Sequence, residues 1–105
     1  MLVVETPVFT RTICELVADD AYRRLQLALV LRPEQGALVP GGHGLRKLRW
    51  GRPGKGKRGG LRILYYWDKE FETVFLLFVY RKGKQADLTP SQAKALGRLI
   101  REELK

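Results

Sequence analysis

Two apolar runs, LRILYYWD (61–68) and TVFLLFVY (73–80), are joined through the short segment DKEFE. Both are rich in the β-branched and aromatic residues that suit a pleated surface. A connection this short returns the chain as an antiparallel hairpin. The second run has almost no polar break, which is the pattern of a central strand covered on both faces or mostly buried. Any fold of this chain must therefore be built around that hairpin and must supply apolar cover for it.

The rest of the sequence supplies the cover. LVV (2–4) is a short β-rich run ended by Pro7. From Phe9 to Leu16 the pattern allows one or two helical turns. Asp19 or Asp20 is a candidate N-cap for AYRRLQLALVLR, in which Tyr22, Leu25 and Leu29 share a side and Pro33 stops the helix. PEQGALVPGGHG (33–44) reads as a connector, and LRKLRW (45–50) as a short, partly alternating strand. The sequence closes with a capping box: Thr89 at the N-cap, Pro90 at the first helical position and Gln92 at the third. Ala93, Leu96, Ile100 and Leu104 then line one stripe. A length of 105 residues has room for one domain (1–105) and one modest core. The expected fold is α+β: N-terminal helices packed on a small twisted, mainly antiparallel sheet of about four strands, plus a C-terminal helix.

Charge is the second constraint. The net charge is +9, and it is concentrated. Residues 1–40 are close to neutral, whereas 41–62 carry eight basic side chains and no acid. Within that segment lies GRPGKGKRGG (51–60), which reads as a flexible, purely cationic loop. A second cluster follows at Arg81, Lys82 and Lys84. Like charges crowded this densely oppose compaction, and an anionic partner offsets that cost. A merely solubilising surface mixes the two signs.

Several kinds of chemistry find little support. Gly51, Gly56 and Lys57 have the spacing of a P-loop, but Arg58 stands where Ser or Thr would hold magnesium, and a strand follows instead of a helix. His43 is the only histidine and sits among glycines, as a solvated loop residue. Cys14 is the only cysteine and is expected to pack in an apolar helical context. The acids are scattered, without the clustering that metal-dependent nucleases need, so no metal and no cofactor is expected. No apolar run reaches the roughly 20 residues that cross a bilayer, and the N-terminus does not read as a secretion signal, so a soluble cytoplasmic protein is expected. Most strand aromatics are expected in the core, but Tyr66 or Tyr80 beside the cations could stack on unpaired RNA bases.

GLRKLRW, GKGKRGGLRILYYW and FLLFVYRKGKQADLTPSQAKAL, in this order from Gly44 to about Leu99, resemble the RelE/ParE superfamily of type II toxin–antitoxin toxins, specifically the HigB-type branch. The resemblance implies a small basic ribonuclease that cuts translated mRNA in the ribosomal A site without a metal. In that chemistry the 2′-hydroxyl of the message attacks the neighbouring phosphate, leaving a cyclic phosphate and a free 5′-hydroxyl. It implies Arg62, on the central strand, as the clamp for the transition state, and Lys82 as a further active-site cation. Lys47 and Arg49 match basic positions of the preceding strand, and Tyr80 joins the catalytic candidates. Lys55, Lys57 and Arg58 would grip the RNA backbone, with Arg81, Lys84 and Tyr66 as further RNA-binding positions. The implied partners are a helix-turn-helix antitoxin of HigA type, the 70S ribosome and mRNA. The sequence departs from relatives that read Lys-Asn-Glu where it has Lys82-Gly83-Lys84, so a lysine crowded by other cations would serve as base. Two rivals share these features: a ParE-like inhibitor of DNA gyrase, and a non-catalytic RNA- or DNA-binding module.

Overall fold

A computed structural model describes residues 1–52, 56–82 and 89–104. Among these the order is β1 (Leu2–Glu5), α1 (Pro7–Leu16), α2 (Asp19–Leu31), β2 (Ala37–Leu38), β3 (Leu45–Arg52), β4 (Gly56–Asp68), β5 (Thr73–Arg81) and α3 (Pro90–Leu99). A π-helical turn, Ile100–Leu104, continues α3. The five strands form one sheet in the order β1-β5-β4-β3-β2. Antiparallel pairing joins β2 to β3, β3 to β4 and β4 to β5, while β1 lies parallel to β5 with Leu2 opposite Thr73.

The apolar hairpin is the centre of the molecule, as its composition requires. One face carries Leu48, Leu61, Ile63, Tyr65, Val74, Leu76 and Val79, which pack against Phe9 and Ile13 of α1 and Leu25 and Leu29 of α2. The other face carries Leu45, Leu64, Leu77 and Tyr80 against Ile100, with Leu96 and Leu104 at its margin. A register shift between Leu64 and Tyr65 inserts Leu77 as an extra residue on β5. Strand β5 therefore buries residues toward both layers.

Thr6 turns the first strand into the first helix. Its hydroxyl accepts the Phe9 N–H at 3.1 Å and donates to the Leu77 carbonyl at 2.8 Å. One side chain thus caps α1 and fastens that cap to β5. The capping box at Thr89 and Gln92 forms as its spacing requires. Gly97 lets α3 settle on the connector, since a Cβ there would lie 2.9 Å from the Gly41 carbonyl oxygen.

Four expectations need correction. The connector contributes a fifth strand, β2, because Ala37 and Leu38 pair with Lys47 and Arg46. Helix α2 is capped by Ala18 without a side-chain bond, and both Asp19 and Asp20 sit in its first turn, where they favour the positive end of the helix dipole. Cys14 is exposed, because its neighbour Ile13 takes the core-facing position of α1. The cationic stretch 51–60 is largely strand, with β3 reaching Arg52 and β4 starting at Gly56.

Two tyrosines hold the periphery. The Tyr65 hydroxyl donates to the Pro33 carbonyl at 2.7 Å and accepts the Gly36 N–H at 2.9 Å, pinning the connector to the sheet. Burial pushes its pKa up. Tyr65→Phe leaves the buried Gly36 N–H unpaired, so urea denaturation should show a loss of about 1–3 kcal/mol.

The Tyr22 hydroxyl donates to the Glu5 carboxylate, which also accepts from Thr10 Oγ1 at 2.5 Å. Burial first, and the bond to Glu5 second, push the Tyr22 pKa well above its ordinary value of 10.0. The protonated form is therefore favoured in the folded state. Its stabilisation is complete below the ordinary tyrosine range and is lost as pH rises above it. Urea midpoints should fall as pH rises past about 10, and Tyr22→Phe should make that fall shallower. An unchanged slope would remove the bond from the stability of the fold.

Candidate nucleic-acid interface

Strand alternation decides which cations meet. Arg49 on β3 stands directly opposite Arg62 on β4, and Arg62 in turn stands opposite Tyr80 on β5. The next row toward the middle of the sheet is Lys47, Leu64 and Phe78. On the other side of Arg62, the Lys82 N–H donates to the Gly60 carbonyl at 2.9 Å, which places Lys82 two residues beyond Tyr80 on the same face. Arg49, Arg62, Lys47 and Lys82 therefore share the face that α3 covers in part. Arg49 is exposed and Lys47 and Lys82 are half-exposed, whereas Arg62 is only 6% exposed.

Two arginines directly opposed across a sheet repel one another. Among the described residues no ion pair joins either of them to an acid. Arg62 NH1 donates to the Leu61 carbonyl at 3.2 Å, which satisfies one of its five donor positions and neutralises no charge. Among the described residues, the charges of Arg49 and Arg62 bring the sheet repulsion and no ion pair. An anion lying over it would remove the repulsion and accept the planar guanidinium fork.

Other predicted site residues fall elsewhere. Arg81 lies opposite Leu61 and so belongs to the face of α1 and α2, and its Nε is buried without a hydrogen-bond partner. It does not join Arg62 and Lys82. Tyr80 is 3% exposed and packs with Leu45, Leu64, Leu77 and Ile100, so it offers no open ring for a base. Tyr66 shares the face but lies four residues along β4 from Arg62, roughly 13 Å away. Its ring stacks on Phe75, and burial followed by the nearby Asp68 carboxylate pushes its pKa up. Lys57 and Arg58 lie on β4, while Lys55 and Lys84 are outside the described residues. Arg46, counted among the cations, instead donates to the Glu34 and Gly36 carbonyls at 3.0 and 2.8 Å and works as an internal staple.

Gly60 is the residue that sequence reasoning missed. A Cβ at this position would lie 2.3 Å from the Trp50 carbonyl oxygen, so only glycine lets β3 and β4 close together beside Arg62. The irregular register between Trp50 and Arg52 marks the same spot. The paired glycines at 59 and 60 were the available signal, since glycine inside a strand marks a bulge or a close backbone approach.

No protein-family model matches the chain. Its architecture does match solved structures. A chain of the intact E. coli RelBE toxin–antitoxin complex superposes with a TM-score of 0.59 at 15% identity, covering 74% of this chain and 92% of its own length. The isolated E. coli RelE toxin superposes with a TM-score of 0.57 at 15% identity, covering 93% of this chain and 97% of its own. The fold is that of RelE. Within the RelE fold of this chain, the cations lie on β3, on β4 and just past the end of β5, on the face shared with the C-terminal helix. No described helix is long and apolar enough to cross a membrane.

Proposed function

We propose that this chain is the toxin of a type II toxin–antitoxin module and a ribosome-dependent endoribonuclease that cleaves translated mRNA in the A site. The observation that carries the reading is the directly opposed pair Arg49 and Arg62, set with Lys47 and Lys82 on one face of a RelE fold. In the reaction the 2′-oxygen of the message bonds to the adjacent phosphorus, and the bond from phosphorus to the 5′-oxygen breaks. The products are a 2′,3′-cyclic phosphate and a 5′-hydroxyl. The 2′-hydroxyl loses a proton and the departing 5′-oxygen gains one. Arg62 would hold the non-bridging oxygens as negative charge builds on them, and a preorganised cation is usually the largest catalytic contribution. Arg49, Lys47 and Lys82 would flank the bent backbone, with one of the two lysines taking the 2′-proton. Lys55, Lys57, Arg58 and Lys84 would extend the grip on RNA.

The partners of this reading are the 70S ribosome, mRNA and a helix-turn-helix antitoxin of HigA type, and its setting is the cytoplasm. The structural match to a toxin–antitoxin complex supports a neutralising protein partner. Primer extension on a translated message tests the proposal. Breaks in register with codons support it. Their absence, together with inhibition in a gyrase supercoiling assay, would establish the ParE-like alternative instead. Binding to RNA without cleavage would leave a binding module.

A further inference from the structure

The cationic row leaves one arginine on the reverse of the sheet. Arg81 stands opposite Leu61 on β4, and Leu61 in turn stands opposite Trp50 on β3. Cross-strand partners share a face, so Trp50 and Arg81 flank Leu61 on the side of α1 and α2. Two strand spacings separate them, roughly 10 Å. Leu61 is fully buried, whereas Trp50 and Arg81 are each half-buried and keep part of their surface open.

Arg81 is poorly suited to this place as a packing residue. Its Nε is buried without a hydrogen-bond partner, and among the described residues no acid pairs with it. A buried donor left unpaired opposes folding, and a charged head with no counter-ion adds to that cost. Trp50 also sits at an irregular point. The register slips between Trp50 and Arg52, and an irregularity of this kind re-aims the side chain beside it.

We infer that Trp50 and Arg81 form a second nucleotide site, on the face opposite the cationic row. There a base of single-stranded RNA stacks on the indole, and a neighbouring phosphate meets the Arg81 guanidinium. The phosphate supplies the missing acceptor for the orphaned arginine, whose planar fork matches its oxygens. The indole face accepts any base, so the site holds RNA without reading its sequence. Residues 41–62, which include Trp50, carry eight basic side chains and no acid, so a polyanion is already drawn to this end of the molecule. An acidic peptide would engage the arginine and leave the indole unused. The site rests on the reading of this chain as an RNA-directed toxin, and it adds an anchor outside the cleavage row.

Trp67→Phe leaves Trp50 as the only tryptophan of the chain. The full-length protein with that change should be titrated with a 2′-O-methyl hexanucleotide, which lacks the attacking hydroxyl. Trp50 emission should be quenched as the oligonucleotide saturates. Arg81→Met in the same background should weaken binding by about tenfold and lower the salt slope by about 0.7. It should unfold at the same temperature or higher, because the orphaned donor is gone. An abasic backbone of equal length should quench weakly, and polyglutamate of equal charge should not quench. Oligonucleotide binding that leaves the emission unchanged, quenching as strong with either control, or unweakened binding by Arg81→Met would each overturn the inference. Primer extension keeps the two readings apart. Breaks in codon register from a protein whose Trp50 is never quenched would remove this site alone, whereas quenching without breaks would remove the cleavage reading and keep the site.

Discussion

Arg62→Ala should lower the rate of message cleavage by about 10²–10³-fold, the usual loss when one preorganised charge donor is removed from a developing oxyanion. The protein should nevertheless stay folded. Truncation removes the buried stem of Arg62, which costs packing, but it also ends the repulsion between Arg62 and Arg49, a contribution of about 0.2–1 kcal/mol. Arg62→Met separates the two effects, because it keeps most of the volume and drops the charge. It should unfold at the same temperature or higher and cleave as poorly as Arg62→Ala. Arg62→Lys should recover only part of the rate, since an ammonium cannot offer two parallel bonds to phosphate oxygens. Single-turnover primer extension with urea denaturation of each variant reads both quantities. An Arg62→Met protein that cleaves normally would remove the guanidinium from the mechanism.

Gly60→Ala should be the most destabilising small substitution in the sheet. Its new methyl would lie 2.3 Å from the Trp50 carbonyl oxygen, and a backbone atom cannot swing aside as a side-chain end can. The strands must part or the bulge must move, at about 3 kcal/mol. For a domain of this size that corresponds to a fall in melting temperature of roughly 10–20 °C. Arg62 lies two residues along β4 and Lys82 is bonded to the Gly60 carbonyl, so the same displacement moves both. Cleavage by the fraction that remains folded should therefore fall as well. Calorimetry showing no loss of stability would mean that the hairpin yields here at little cost.

The parts legible in the sequence were those governed by local rules. The two apolar runs specified the central hairpin, Thr89, Pro90 and Gln92 specified the start of α3, and the stripe from Ala93 to Leu104 specified its buried side. The parts that were not legible depend on how layers meet. Arg81 and Lys82 are neighbours in sequence and read as one cationic cluster, yet a strand turns successive side chains to opposite faces. Tyr80 was expected beside the cations, and it is there by register, but the C-terminal helix claims its ring. Nothing local distinguishes Leu77 as the inserted residue of β5, which only the pairing with β4 reveals. The two-residue strand β2 is likewise too short for any periodicity to show.

The parallel seam between β1 and β5 carries a consequence for biosynthesis. Leu2 is made well before its neighbour in the sheet, Thr73. The opposite layer closes only when Ile100 and Leu104 arrive. β1 must therefore wait for β5 before it can dock, and the face bearing the arginines is completed only once α3 has followed β5. A nascent chain interrupted before that point holds the cations without the layer that frames them.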